Sequence, residues 1–140
     1  MSEGPDLNAH LAFTPPAPTL LGRKIEAIDL ADGSVTLSFF APPEFANRHG
    51  GVQGGFEAAM LDSATSVALL AQLPPELTSV TMELTATFVR PAPLGSLTAK
   101  AWLVSRDERE ARTRAELYGP DGQVVAKATA RLRIRRREAS

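Results

Sequence analysis

Apolar and polar positions change period twice along the chain, and the changes mark out its elements. Between residues 23 and 42, Ile25, Ala27 and Leu30 precede the dipeptide Asp32-Gly33, and Val35, Leu37 and Phe39 alternate after it. Asp-Gly between two such runs predicts a β-hairpin, and Pro42-Pro43 stops the second strand because proline donates no ladder hydrogen bond. From Gly54 the period lengthens. Phe56, Met60, Ala64 and Val67, with Ala59, Leu70 and Ala71, recur at three- and four-residue spacing to about Leu73. That spacing predicts one long helix, ended by Pro74-Pro75. Four segments then read as strands: LTSVTMELTATFVRP, SLTAKAWLVSRD, REARTRAELYGP and QVVAKATARLRIRR. Alternation is clean at Leu97, Ala99, Ala101 and Leu103 and at Ala115 and Leu117, but slips once among Val125, Ala128, Leu132 and Ile134. Residues 1–22 carry Pro5, Pro15, Pro16 and Pro18 and read as an irregular arm with one short helix near LNAHLAF; residues 23–137 form the domain.

The predicted order is two strands, one long helix, then four strands. Strands of ten or more residues exceed the usual five or six and imply a broad, curved antiparallel sheet. An apolar helix alone among six strands buries its circumference only if the sheet curls around it. The expected class is α+β, a six-stranded antiparallel sheet wrapped around one helix.

Composition narrows the chemistry. With 44% hydrophobic and 22% charged residues, the chain is an ordinary globular protein long enough for one core. A net charge of −1 gives no reason to expect nucleic acid or an anionic membrane as partner. Absence of cysteine excludes disulfides, thiolate metal sites and a cysteine nucleophile. His10 and His49 lack metal-ligand spacing, and no G-x-S-x-G occurs, so neither a metal centre nor the usual serine-hydrolase site is expected. No basic segment followed by an apolar one opens the sequence, and no run of about 18 apolar residues occurs, so a cytoplasmic location without a membrane span is expected.

The stretch NRHGGVQGGFEAAMLDSA, residues 47–64, holds four glycines in six positions and one aspartate in the helix that follows. First-turn N–H groups of a helix have no intrahelical partner and carry partial positive charge. Gly54 has no side chain, so a carbonyl can approach its N–H as it would in an oxyanion hole. Asp62 is the single carboxylate between Ala58 and Leu73, a candidate base or nucleophile. Glu57 is the rival carboxylate, but first-turn glutamates commonly compensate the helix dipole, and that reading is preferred. The Asn47 amide either positions water or substrate or caps its loop. Eight residues of helix put Gly54 and Asp62 about 12 Å apart along the axis, too far for one carbonyl to meet both. If both act, the site is shared between two chains, and two-fold symmetry builds it twice.

These residues resemble the hotdog-fold acyl-CoA thioesterases of the PaaI-like branch. That family carries N-x-x-G-x-x-H-G-G and, nine residues after the His, a carboxylate; Asn47, Gly50, Gln53, Gly54, Gly55 and Asp62 fall on the pattern. The segment SVTMELTATFVRPAPLGS resembles the family's strand after the helix, and the likeness runs from about residue 23 to 135. It implies an acyl-CoA substrate, no cofactor beyond the coenzyme A of that substrate, a homodimer with shared active sites and a dimer of dimers. By the same resemblance Asp62, Gly54, Asn47, Gln53 and Ser79 are catalytic, and Gly55, Phe56, Met60 and Arg90 bind substrate, with Met82 and Leu84 beside the acyl tunnel. Arg106 and the arginines of 131–137 are further candidates for the nucleotide phosphates. Gln53 departs from the family's His, and Gln does not titrate near neutral pH. A non-catalytic acyl-CoA-binding sensor on the same fold is the alternative, for which Asp62 would be unnecessary; a hydratase would want the missing His.

Overall fold

A computed structural model describes residue 11 and residues 14–138; His10 and nearly all of LNAHLAF lie outside the described residues. The described part of the arm holds one short helix, further along than LNAHLAF. This helix, α1 (Pro16–Leu20), starts at Pro16, where the fixed φ of proline suits a first turn and its missing N–H costs nothing. Leu21, just beyond it, is buried in the core.

Strands β1 (Lys24–Asp29) and β2 (Ser34–Ala41) form the hairpin, with Gly33 at φ +70° in its turn. Leu30 is not in the strand. The ladder closes at Asp29 opposite Ser34, the Asp29 carboxylate accepts the Ala31 N–H, and Leu30 is left exposed in the turn. A 3-10 turn over Pro43–Phe45 leads to the glycine loop and to helix α2 (Gly54–Leu70). Eight of the 17 residues of α2 are Ala, Leu or Met, which lose little freedom in a helix. Its last residues give way to a turn ahead of Pro74, and no helix among the described residues is long and apolar enough to cross a membrane.

Strands β3 (Leu77–Phe88), β4 (Gly95–Arg106), β5 (Glu110–Tyr118) and β6 (Val124–Arg136) complete one antiparallel sheet in the order β1-β2-β4-β5-β6-β3. Its inner face presents Leu37, Phe39, Leu97, Ala99, Ala101, Ala115, Leu117, Ala128 and Leu132, all buried against α2 or its flanks. Small alanines on the strands share this core with Ala64 and Ala68 of the helix and with Ala71 just after it. Irregularities at Ile25/Ala27, Thr81/Glu83, Leu103/Ser105 and Leu117/Tyr118 bend the strands around it. The slip of alternation in the last strand is the fourth of these.

The outer face is polar and locally paired. Trp102 lies between Lys100 and Arg114, whose charged groups stand 5.4 and 3.9 Å from the ring centroid. Among the described residues neither sheet edge, β1 or β3, is paired further, and the two differ. β1 has six residues, whereas β3 has twelve and exposes Val80 and Met82.

Candidate active site

The loop from Ala46 to Gln53 is built around Asn47. Its side-chain oxygen accepts the N–H of His49 (2.8 Å) and of Gly51 (3.2 Å), and its amide donates to the Val52 carbonyl (3.4 Å). The side chain is thus occupied in holding the loop. Gly51 meets a real constraint: a Cβ there would stand 2.8 Å from the Ala92 carbonyl oxygen, which also accepts the Val52 N–H. The loop is thereby clamped to the segment after β3. Gln53 is the N-cap of α2, its N–H bonded to the Phe45 carbonyl and its exposed side chain making no capping bond.

Gly54 opens α2 beneath the Phe88 ring, whose nearest carbon would be 3.4 Å from a Cβ at that position. Around it lies a cavity of about 550 Å³ lined by Asn47, His49, Gly51, Val52, Gly54, Glu57 and residues 88–92. Gly55 beside it is exposed, with open space where a Cβ would be. Arg90 sits at the rim, fixed by Nε to the Val124 carbonyl (2.9 Å) and by Nη1 to the Gln123 side chain.

Asp62 does not line this cavity. It is half-buried two turns further along α2, where its Oδ1 accepts the Thr81 hydroxyl at 2.8 Å. Ser66 Oγ lies 3.4 Å from that hydroxyl, and Thr65 bonds back to the helix carbonyls. Asp62 shares a partly open helix face with Gly55, Ala59, Ser63 and Ser66. Arg23 reaches that face through Nη1 to Ser63 Oγ (3.0 Å), and burial lowers its pKa. Ser79 is half-buried on the inner side of β3, two positions before Thr81; the strand brings Thr81, rather than Ser79, into contact with Asp62.

The apolar candidates are not gathered about one cavity in the single chain. Phe56 stacks on Phe45 with centroids 3.8 Å apart, Met60 is fully buried in the core, Leu84 packs against it, and Met82 is exposed at the β3 irregularity. Arg131 and Arg133 approach Glu110, Arg131 also approaches Glu83, and Arg137 donates to the Pro75 and Leu77 carbonyls, all away from the cavity. Arg106 is an exposed residue at the end of β4.

Two residues gain weight from the structure. Thr81 lies two residues beyond Ser79 on the same face of β3, and that spacing was the usable signal. Glu57 is only 4% exposed and its Oε1 has no hydrogen-bond partner among the described residues; burial raises its pKa to about 7. A carboxyl compensating the helix dipole from solvent would not be buried in this way. Its place one turn after Gly54, on the same helix face, was the signal available.

The first turn of α2 thus offers N–H groups without intrahelical partners at one end, and Asp62 a carboxylate on a partly open face two turns along. The model of the thioesterase superfamily matches residues 49–126, the span from glycine loop to β6, and the chain belongs to this family. It has the hotdog fold and is a thioester hydrolase. Among solved structures it is similar to a phenylacetic acid degradation-related protein of Ralstonia eutropha, with 36% identity over 91% of this chain and 95% of that one, TM-score 0.84. It is also similar to a thioesterase family protein of Silicibacter pomeroyi, with 25% identity over 88% and 91% of the two chains, TM-score 0.80. The E. coli PaaI protein of the phenylacetic acid degradation operon shares the fold at 22% identity over 95% and 93%, TM-score 0.80. No curated protein sequence matches.

Proposed function

We propose that the protein hydrolyses acyl-CoA thioesters in the cytoplasm, with the Gly54 N–H binding the thioester oxygen and Asp62 of a second copy acting as base or nucleophile. The observation that carries this is the placement of the two groups. Gly54 opens into a cavity from which Asp62 is absent, while Asp62 stands on a partly open face beside the free β3 edge. A twelve-residue edge exposing Val80 and Met82 favours pairing with another strand. A second copy docked along β3 by two-fold symmetry covers the open face of α2 and brings each Asp62 toward the partner's Gly54 cavity. Thr81 holds the Asp62 carboxylate in one orientation. Asn47 supports the loop, Gln53 and Ser79 border the shared site, and Gly55, Phe56, Met60 and Arg90 contribute to substrate binding. The reaction written this way needs no resident metal or cofactor. A dimer of dimers is the corresponding larger assembly.

Complementation tests it. Asp62→Asn removes the base, and Gly54→Pro removes one N–H at a helix position where proline is tolerated, after a residue already extended (Gln53 φ −61°, ψ 134°). Each variant alone is expected to be inactive against a panel of acyl-CoAs. Unfolded and refolded together, they form mixed dimers with one intact site, restoring about one quarter of wild-type activity. Full activity in Asp62→Asn, or no recovery on mixing two folded variants, would refute the shared site.

A further inference from the structure

The catalytic proposal leaves a buried carboxyl unused. Glu57 lines the Gly54 cavity, is 4% exposed, and offers an Oε1 with no hydrogen-bond partner among the described residues. It is three residues beyond Gly54, hence on the same face of α2. Helix side chains lean toward the N-terminus, so the carboxyl is carried back toward the turn that bears the Gly54 N–H. Apolar Val52, Phe88, Pro91 and Ala92 line the same space, together with the polar side chain of Asn47. The other titratable groups facing the cavity are His49 from the glycine loop and Arg90 from beyond β3, and Arg90 is already committed to Gln123 and Val124. The strands packed on α2 add none, since Glu57 is the only buried charged residue among those described.

We infer that Glu57, held as the neutral acid, donates a hydrogen bond to the thioester oxygen beside the Gly54 N–H and completes a two-donor oxyanion site. An ionised carboxylate there would oppose the developing negative charge, whereas a protonated one stabilises it. No covalent step involves Glu57. The thioester C–S bond is broken by attack from the Asp62 side, and Glu57 keeps its proton throughout. Burial without a partner raises the carboxyl to about pKa 7, so the acid form prevails up to neutrality.

The inference rests on the thioesterase reading, and its test separates the two. Steady-state kcat is measured from pH 5.5 to 9 for wild type, Glu57→Gln and Glu57→Leu, each checked for folding by circular dichroism. Glu57→Leu, lacking a donor, is expected to lose about 10²-fold in kcat. Glu57→Gln keeps an N–H donor that does not titrate, so it loses several-fold at neutral pH and lacks the alkaline fall of wild type. The ratio of its kcat to that of wild type then climbs about tenfold per pH unit above 7. His49 and Arg90 are present in all three proteins, and their titration cancels in the ratio. An alkaline fall kept in Glu57→Gln, or equal losses in the two variants, overturns the inference. If wild type hydrolyses no acyl-CoA, the thioesterase reading fails, and binding of hexanoyl-dethia-CoA, a ketone with methylene in place of sulfur, decides for Glu57. Affinity that falls above pH 7 in wild type and stays level in Glu57→Gln supports the donor. Binding that is absent, or equally pH-dependent in both, overturns it.

Discussion

Glu57→Gln is expected to flatten the pH dependence of folding stability, independently of any substrate. In the unfolded chain the carboxyl ionises near its ordinary 4.5, and in the folded chain burial holds it to about 7. Between those values the native state binds one proton that the unfolded state has released. Stability therefore stands at its fullest below pH 4.5, falls by about 1.4 kcal/mol per pH unit, and levels off above 7. The accumulated loss is about 3 kcal/mol, large against the total stability of about 5–15 kcal/mol of a typical domain. Glutamine has nearly the same shape and no charge, so any penalty for its buried amide is constant with pH. The assay is urea unfolding of wild type and variant at pH 4.5, 5.5, 6.5, 7.5 and 8.5, followed by the fluorescence of the single tryptophan, Trp102. Protein concentration is held fixed, since association would add to apparent stability. The difference between the two proteins isolates Glu57 from the other carboxylates, and it should grow in favour of the variant from pH 4.5 to 7. Parallel curves would refute the reasoning and return Glu57 to the role of a solvated first-turn charge.

Two other changes test the frame of the site. Gly51→Ala places a Cβ 2.8 Å from the Ala92 carbonyl oxygen, so the loop must retreat from the strand exit. A stability loss of about 1–3 kcal/mol, read as a lower melting temperature, is expected together with reduced turnover. Thr81→Val keeps the shape of a β-branched strand residue and removes the 2.8 Å hydrogen bond to Asp62. Turnover is expected to fall about tenfold, corresponding to a bond worth roughly 1.5 kcal/mol, with the circular dichroism spectrum unchanged. Wild-type kcat in this variant would show that Asp62 needs no holding partner.

The sequence by itself determined the elements. Period-two runs around Asp32-Gly33 and after Leu77, and the three- and four-residue spacing from Gly54, are local signals that burial on one face or all round imposes directly. They suffice for six antiparallel strands and one enclosed helix, and the glycine-to-aspartate spacing suffices for the family. Leu30 and the arm escaped because they depend on where a ladder stops and on proline in a first turn, choices of one or two residues. The roles of individual side chains were decided only by tertiary structure. Asn47 is consumed by its own loop, and Thr81 instead of Ser79 reaches Asp62, a choice between two residues of one strand face that depends on where β3 lies along the helix. Glu57 shows the reason most plainly. A first-turn glutamate has the same sequence signature in water or under a sheet, and its charge state follows from what covers it. Here Phe88 and the segment after it, more than thirty residues away in sequence, close over the helix entrance and make a buried acid of it.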